Sequence, residues 1–570
     1  MKDLYIRISA VILIFALLLG ALVSCQGTPN DGEVETPSDG DGGGTPDGGG
    51  NENTEKDPFE NNSELISDPD FDYAVSDLSP YISFPAEKYK NFELSLEIAK
   101  PHSIDVDVEI LKALYSAKDK EAGTRVEYPS GVSITAGDDV EIYYRGYLLD
   151  ENGNEIFCSN MCNYNSAKPQ TLGIGSGRFV SGFELSLVGK NPADYGTLTR
   201  VTEGRPTENS FAYISYKRTV ADKTESVNLY RIDMSGDVDS ILGEGARLTL
   251  LGSEVGKRIE NFSTTLNGSA CEYSYLTVDL VTYEDSPIKV EVYFSYDYGI
   301  AELRNAPAYF DVFVTAVTPY DTPTYDDAYV TEILKKKDSP VTAEELSEYE
   351  GATLAEKYKS YAAAMLYKSY EAKYLDMLKS AIWNYYLEDG VADIKKYPLE
   401  EVKQIYDQYV KEIRDQYESS GGIAYNKYTG SYEKCDNLDD FAEIYIGIQY
   451  TEKPDWRKNI YDTALMIVKE RLIIFHIMRS EGILPDEATV LAGVEKLKQE
   501  YLDEYIEGYF EYIGKKREDF SDEEYKKIVE ELSVELFEYF GDDFFSETVY
   551  YDTAIEIILT YPTVKTMDDK

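Results

Sequence analysis

The 570-residue sequence is long enough to bury several hydrophobic cores and to divide into roughly three or four structural units. Acidic residues outnumber basic residues 106 to 55, and the formal charge of −51 repels a phosphate backbone, which excludes general binding of DNA or RNA. Five cysteines are too few for a disulfide framework, and the two histidines, His102 and His476, lie far apart in the sequence. The composition therefore predicts chemistry that does not need histidine, and nothing indicates a metal, nucleotide or redox cofactor.

The N-terminus has the features of a secretory signal. Lys2 and Arg7 precede an apolar run at residues 8–23, and small residues stand just before Cys25. The sequence Leu-Val-Ser-Cys resembles the bacterial lipobox, which implies removal of residues 1–24 and attachment of lipid to Cys25 as an anchor in the bacterial cell membrane. An uncleaved membrane helix is the alternative, because a run of this length nearly spans a bilayer. Both interpretations predict an extracytoplasmic location.

Residues 25–63 are predicted to be a lipid-anchored, disordered linker. Gly, Asp, Pro, Thr, Asn and Glu dominate this segment, which includes DGDGGGTPDGGGN at residues 39–51. Such a composition cannot bury enough apolar surface to offset the entropy of ordering. We therefore expect a flexible tether with a root-mean-square reach of roughly 30–40 Å.

The body of the chain predicts an α+β protein. Residues 64–130 combine an alternating stretch at residues 92–98 with a helical pattern, which predicts a strand followed by a helix. Residues 131–320 contain short alternating runs separated by Gly, Asn and Asp turns, which are typical of β-strands. Residues 321–570 are rich in Ala, Glu, Lys, Leu and Tyr with helical periodicity, and they predict a helical domain.

One helix pair can be predicted closely within the helical domain. The pattern at residues 468–482 predicts a helix ended by Gly482, and Pro485 and Asp486 favour the start of the next one. His476 lies among apolar residues of the first helix. We expect it to be a core or groove histidine with a hydrogen-bonded nitrogen.

The most specific pattern begins between Gly137 and Gly189. It reads GDDVEIYYRGYLLDENGNEIFCSN and then LGIGSGRFVSGFELSLVGK, and a closing part follows as VYFSYDY at 292–298 and AELRNAPAYFDVFVTAV at 301–317. These ordered elements resemble the FKBP-type peptidyl-prolyl isomerase domain in the version carried by bacterial trigger factor. The resemblance implies an FKBP-like antiparallel half-barrel in residues 131–320, followed by a large all-α, trigger-factor-like C-terminal domain.

The same resemblance implies a proline-binding pocket and isomerase activity. The positions that match the family's pocket are Tyr144, Phe157, Phe179, Val180, Phe183, Tyr298 and Phe310. The resemblance implies that the Val180 N–H donates a hydrogen bond to a substrate carbonyl. Prolyl isomerisation needs no proton transfer, because its barrier of roughly 18–20 kcal/mol is rotation about a resonance-stiffened bond. An apolar pocket that takes this bond out of water can lower that barrier.

Several features leave alternatives open. The aromatic residues could form only the hydrophobic core of a half-barrel. Cys158 stands where many family members have an acidic residue, and Gln170 falls near a usual aromatic. Cys158 and Cys162 could pair outside the cell or stay free. GIGSG at residues 173–177 is not a phosphate-binding loop, because Arg178 replaces the third glycine that such loops require.

Residues 191–287 interrupt the resemblance and also echo it. The stretch at 211–216 resembles the first strand, 241–257 resembles the glycine-rich part, and 271–281 resembles the closing strand. We hypothesise a degenerate second FKBP-like copy nested in the first. Because it lacks the Gly-Phe-Glu sequence and the pocket aromatics, it is expected to bind clients or serve as structure without catalysis.

Taken together, the sequence predicts a membrane-anchored foldase outside the cytoplasm. It would isomerise X-Pro bonds in exported proteins and bind unfolded clients, with no nucleic-acid or ribosome partner, because the anchor and linker occupy the place of a ribosome-docking module. A non-catalytic holdase of the same architecture is one alternative, favoured by Cys158 and the split domain. A surface lipoprotein that binds glycan or peptide ligands through tyrosine-rich faces is another.

Overall fold

The computed structural model describes residues 58–60, 62–127, 131–153, 155–300, 303–337, 339–451 and 454–569. The side chains of residues 157–160 and 542 also lie outside the described part of the structure. The predicted signal peptide, the lipid-bearing Cys25 and nearly all of the predicted linker fall outside the described residues. Within the described ranges, no helix is both long and apolar enough to cross a membrane.

The longer strands among the described residues lie between residues 139 and 318. In chain order they are β1 (Leu65–Ile66), β2 (Ile82–Ser83), β3 (Glu93–Ser95), β4 (Val126–Glu127), β5 (Asp139–Leu149), β6 (Glu155–Cys162), β7 (Gln170–Gly173), β8 (Leu198–Val201), β9 (Phe211–Val220), β10 (Lys223–Asp233), β11 (Arg258–Leu266), β12 (Ser269–Glu284), β13 (Ile288–Tyr293), β14 (Pro307–Thr318), β15 (Asp393–Ile394), β16 (Tyr397–Pro398), β17 (Ile423–Asn426), β18 (Ser431–Lys434) and β19 (Thr563–Lys565).

The long helices follow the strands. In chain order the described α-helices are α1 (Ala86–Tyr89), α2 (Asp105–Ser116), α3 (Phe183–Leu187), α4 (Val238–Leu242), α5 (Ala246–Gly252), α6 (Asp327–Leu334), α7 (Ala343–Ser347), α8 (Leu354–Leu387), α9 (Leu399–Ser419), α10 (Leu438–Ile446), α11 (Trp456–Glu481), α12 (Glu487–Tyr512) and α13 (Asp522–Ile558). A residue with non-helical backbone angles, Gly541, interrupts α13.

The chain divides into two compact units. The β-rich unit comprises Glu97–Tyr374 and the C-terminal residues from Thr566, and the helical unit comprises the described residues up to Leu96 and Leu375–Lys565. The predicted domain boundary near residue 320 falls where β14 gives way to α6. The division between compact units falls instead within α8.

The first sheet of the β-rich unit, called the parent sheet here, is six-stranded and antiparallel. Its order is β13-β14-β5-β6, with β4 paired to β14 and β7 paired to β5. Alternate residues of β13 are buried, as a strand with one covered face requires. They share a hydrophobic core with Phe183 and Leu187 of α3, so the helix packs on this face.

A second sheet, called the nested sheet, is built from residues 198–284. It is five-stranded with the order β10-β9-β12-β11, and β8 pairs with β12. Strand for strand this matches β6-β5-β14-β13 of the parent sheet, with β8 in the place of β4. A left-handed glycine precedes the packed helix in both, Gly182 (φ 85°) before α3 and Gly245 (φ 79°) before α5. The four strands of the main path thus follow the same order in both sheets, whereas β7 belongs to the parent sheet alone. That the nested sheet is a second FKBP-like copy stays a prediction.

The predicted helix pair is confirmed in the helical unit. Gly482 ends α11 in the left-handed conformation, and the Asp486 side chain caps α12 by accepting a hydrogen bond from the Thr489 N–H. His476 lies 2.8 Å through Nε2 from the Phe84 carbonyl oxygen, and burial lowers the pKa of His476. It is therefore a structural histidine with a satisfied nitrogen.

The prediction that the C-terminal domain is all-α is wrong in detail. Strands β17 and β18 form an antiparallel hairpin between α9 and α10. Two consecutive glycines, Gly421 and Gly422, adopt positive φ after α9 and turn the chain out of the helix. Residues of β17 alternate between exposed and buried. This short alternation is hidden when the helical periodicity is averaged over the whole region.

Candidate functional site

A cavity of about 540 Å³ lies against the parent sheet. Strands β5 and β14 contribute Tyr144 and Phe310 to its lining, and the loop before α3 contributes Phe179 and Val180. Tyr298, in the loop after β13, lies on the lining as well. Elements that lie more than a hundred residues apart in the sequence thus meet at one concave surface, to which aromatic, aliphatic and polar side chains contribute.

The rings of this cavity form a connected cluster. The ring centroid of Tyr144 lies 5.3 Å from that of Phe179 and 6.1 Å from that of Phe310, both edge to face. Phe183 joins them, 4.6 Å from Phe179 and 5.1 Å from Phe310. Edge-to-face rings in contact hold one another in place, so the apolar wall is preformed.

The predicted site residues occupy different depths. Tyr144, Phe179, Val180 and Tyr298 are half-buried, whereas Phe310 is buried. Phe183 is fully buried and supports the rings from behind without lining the cavity. The Phe157 backbone pairs with Tyr147 between β6 and β5, but its side chain lies outside the described part of the structure. A catalytic role for these residues stays a prediction.

The glycine of the Tyr-x-Gly pattern makes room for Phe310. A Cβ atom at Gly146 would lie 2.7 Å from a ring carbon of Phe310 and 2.7 Å from the Cβ of Met161. Real Cβ atoms do not approach other atoms this closely, so the ring lies against β5 only because residue 146 has no side chain. The spacing of the motif therefore shapes the cavity wall.

The loop at residues 175–179 is wrapped around a buried carboxylate. Glu184 is 6% exposed and accepts hydrogen bonds from the backbone N–H groups of Gly175 (2.7 Å), Gly177 (3.1 Å) and Arg178 (3.1 Å). The hydroxyl of Ser176 donates to it as well, at 3.0 Å. Sequence reasoning noted the Gly-Phe-Glu pattern but did not assign this role to Glu184. The carboxylate fixes the loop that carries Phe179 and Val180.

Val180 presents a backbone donor at the cavity. Its carbonyl oxygen accepts a hydrogen bond from the Phe183 N–H at 3.1 Å, but its own N–H makes no hydrogen bond to any residue that the structure describes. Nearby, the Tyr144 hydroxyl donates to Oε1 of Gln170 at 3.4 Å, and burial raises the pKa of Tyr144. The cavity therefore combines apolar rings with a neutral phenol and a free N–H.

Between the two sheets lies a buried network of charges that sequence reasoning missed. The Arg145 guanidinium contacts Asp311 at 2.5 Å and Glu155 at 2.8 Å, and its Nε lies 3.7 Å from Glu284 of the nested sheet. Glu284 in turn pairs with Arg231 at 3.1 Å. Burial lowers the pKa of Arg145, but its carboxylate partners outweigh this and raise it overall, so the guanidinium stays charged. The network joins the parent sheet to the nested sheet.

The nested sheet carries different side chains at the positions equivalent to the cavity wall. In the parent sheet Gly146 faces Phe310 across the strands, and in the nested sheet Arg218 faces Tyr273. The Arg218 guanidinium lies over the rings of Tyr216 and Tyr273, 5.0 and 5.8 Å from their centroids, and donates to the Tyr273 hydroxyl. The expectation that this copy lacks pocket aromatics is thus wrong for these two tyrosines. The position equivalent to Gly146 therefore carries a large, charged side chain in the nested sheet.

The described cysteines are free thiols. Cys162, Cys271 and Cys435 form no disulfide. Burial raises the pKa of Cys162 to about 11, so this thiol is protonated at neutral pH. The Cys158 side chain lies outside the described residues.

Comparisons with known proteins add little to this geometry. No protein-family model matches the chain, and no curated protein matches it. A solved structure reported for promiscuous substrate recognition in the folding and assembly activities of the trigger factor chaperone is 12% identical, covers 64% of this chain and has a TM-score of 0.19. The match spans 65% of the length of that trigger factor chain. Because the TM-score is so low, this similarity carries no argument about fold or function.

Proposed function

We propose that the protein is an FKBP-like peptidyl-prolyl isomerase that acts as a foldase for exported proteins. The observation that carries the proposal is the cavity lined by Tyr144, Phe179, Tyr298 and Phe310 together with Val180, whose N–H has no hydrogen-bond partner among the described residues. These residues are the ones that the sequence resemblance to the FKBP domain implies. The parent sheet, which packs on the short helix α3, is the proposed half-barrel.

The aromatic rings and the Val180 N–H have different roles in the proposed catalysis. The rings hold the proline ring and remove the X-Pro bond from water, where hydration favours the planar, polar form. The Val180 N–H donates a hydrogen bond to a substrate carbonyl next to the X-Pro bond. This hydrogen bond holds one side of the X-Pro bond in place while the other side rotates. Uncatalysed exchange takes tens of seconds or more, so even modest stabilisation of the twisted state accelerates folding.

A peptide assay tests the isomerase directly. We expect the full chain to accelerate cis–trans exchange of an Ala-Pro tetrapeptide, measured by NMR exchange spectroscopy, and Phe179→Ala to lose at least about tenfold in kcat/KM, equivalent to about 1.4 kcal/mol. Phe262→Ala is the matched control, because it removes a half-buried ring from the nested sheet. Equal activity of Phe179→Ala and the control would refute the pocket assignment.

The helical unit is proposed to bind unfolded clients. Leu491, Tyr512, Val534 and Tyr539 on α12 and α13 are each at least half exposed. A contiguous exposed apolar patch marks a binding surface on a protein, and these side chains are proposed to contribute to such a patch. We expect the full chain to suppress aggregation of a denatured model protein, and the double variant Leu491→Ser, Val534→Ser to do so less. Unchanged suppression would show that this surface does not bind clients.

Anchoring outside the cytoplasm is proposed from the sequence of residues 1–25 alone. In a bacterial host, the full chain should incorporate a radiolabelled fatty acid and fractionate with membranes. Cys25→Ser should abolish the label. A labelled Cys25→Ser variant would contradict lipidation at this residue.

A second candidate function, ligand binding by tyrosines, is favoured by the hairpin of the helical unit. Tyr425, Tyr428, Tyr432 and Tyr450 are each more than half exposed, and their rings pair at 5.2 Å centroid distances. Exposed ring pairs can stack on a glycan or a peptide. Titration with cell-wall glycan fragments tests this, because tyrosine fluorescence should respond in the wild type and less in Tyr432→Ala. No response would remove this candidate.

A further inference from the structure

The charges around the cavity are unevenly balanced. Among the described residues that line it, Lys112, Arg178 and Glu184 carry charge. The Glu184 carboxylate is buried and engaged with the loop at residues 175–179. Lys112 forms an ion pair with Glu109 at 2.7 Å. Arg178 is exposed, and its guanidinium forms no ion pair or hydrogen bond with any residue that the structure describes.

The position of Arg178 is fixed although its side chain is unpaired. Its backbone N–H donates to Glu184, and it stands two residues before Val180 on the same loop. On the facing loop, Asp297 accepts a hydrogen bond from Ser295 and interacts with Lys373. The unbalanced charge at the cavity is therefore the cation of Arg178, in a chain whose formal charge is −51.

We propose that Arg178 selects X-Pro segments in which an acidic residue stands directly before or after the proline. This inference rests on the proposed isomerase function and names its substrate class. Arg178 lines the same cavity as Phe179 and Val180, and Arg presents a planar set of donors that fits a carboxylate. Because the pair is exposed to solvent, the selectivity is modest, about two- to fivefold in kcat/KM.

The experiment compares matched peptides on the full chain. Tetrapeptides with Glu, Gln or Lys immediately before the proline, and a second set with the same residues after it, are assayed for cis–trans exchange at about 20 mM and about 300 mM salt. We expect Glu to exceed Gln and Gln to exceed Lys in at least one set at low salt. The ordering should weaken at high salt, where exposed charges are screened.

Variants locate the selectivity. Arg178→Gln should remove the preference for Glu over Gln, and Arg178→Lys should retain part of it because the charge remains. Arg205→Gln, which removes a cation of the nested region paired with Glu254, should keep the wild-type ordering. A preference that Arg205→Gln lowers as much as Arg178→Gln would overturn the assignment to Arg178.

The results distinguish failure of the acidic preference from failure of the proposed isomerase activity. Acceleration of all peptides without an order at either salt concentration would overturn the acidic preference and leave the isomerase intact. Acceleration of no peptide would overturn the isomerase and the preference together. The salt dependence in the wild type distinguishes these outcomes even if an Arg178 variant does not fold.

Discussion

At the scale of single residues, two buried charged side chains organise the candidate site. Glu184 fixes the loop that carries Phe179 and Val180, and Arg145 joins the parent sheet to the nested sheet. A buried charge is tolerated only when it is paired and hydrogen-bonded, so each of these residues constrains its neighbours. The positions of the aromatic rings therefore depend on the hydrogen bonds and ion pairs of these two residues.

Replacing Glu184 should loosen the loop. Glu184→Gln keeps the shape but removes the charge and one acceptor oxygen, so we expect a loss of about 1–3 kcal/mol in the free energy of unfolding. Urea denaturation measures this loss, and hydrogen exchange should be faster at residues 175–179. Glu109→Gln, at an exposed carboxylate of α2, is the control. Unchanged exchange in the loop would show that Glu184 does not hold it.

Replacing Arg145 should destabilise the protein severely. Arg145→Met leaves the buried Asp311 with Lys289 as its remaining ion-pair partner, so we expect a loss of about 3 kcal/mol in the free energy of unfolding, at the lower end for a broken buried pair. Arg125→Met provides a contrast, because Arg125 also contacts two carboxylates, Glu127 and Glu141, but is 42% exposed. Its loss should be no more than about 1 kcal/mol. Similar losses in both variants would contradict the role given to burial.

At the residue level, the sequence allowed the aromatic residues to be grouped by motif, but it did not reveal which charged residues form pairs. The aromatic residues could be located because their spacing within a motif is visible along the chain. The partners of Arg145 could not, since Asp311 and Glu284 are more than a hundred residues away and only strand pairing brings them together. An arginine inside an alternating strand is a weak signal by itself.

At the scale of elements, the β-rich unit repeats one strand order twice. The parent and nested sheets share the order of their four main strands, and they differ in strand β7 of the parent sheet and in side chains such as Gly146 against Arg218. The sequence shows echoed patterns in residues 191–287, and a nested second copy stays a prediction. The hairpin of β17 and β18 was not predicted, because an alternating run of four residues is too short to detect between long helical patterns.

A methyl group at Gly146 should damage the cavity. Gly146→Ala forces the Phe310 ring or Met161 to move, and we expect a loss of about 1–3 kcal/mol in stability together with reduced isomerase activity. Gly252→Ala is the matched control, because a Cβ there meets no atom within 4 Å. Isomerase activity equal to that of the control would show that the Phe310 position does not matter.

Helix α11 carries a buried acid that makes stability depend on pH. Burial raises the pKa of Glu470 from 4.5 to about 7, opposed by the charge of Arg471. Because the folded pKa is the higher one, the contribution to stability is fully present below the unfolded value of 4.5 and is lost as pH rises through 7.

Substitution of Glu470 isolates this effect. Glu470→Gln, which resembles the neutral acid, should match the wild type below pH 4.5 and be more stable than it above pH 7. Urea denaturation across this range measures the difference, with Glu507→Gln as an exposed control on α12. A difference that does not change with pH would contradict the raised pKa.

At the scale of the whole molecule, the two compact units carry different tasks in the proposed function. The β-rich unit contains the cavity, and the helical unit exposes apolar side chains for clients. The order of β-rich and helical regions could be predicted from composition. The division within α8 could not, because compactness depends on contacts between distant segments, such as the pairing of β3 with β19.

The most direct test of the central claim is proline-limited refolding of a model protein. The full chain is compared with Phe179→Ala and with the control Phe262→Ala at catalytic concentrations. We expect the wild type and the control to accelerate the slow phase in proportion to their concentration, and we expect Phe179→Ala not to accelerate it. If no variant accelerates that phase while all of them suppress aggregation, the protein is a holdase and the isomerase claim is contradicted.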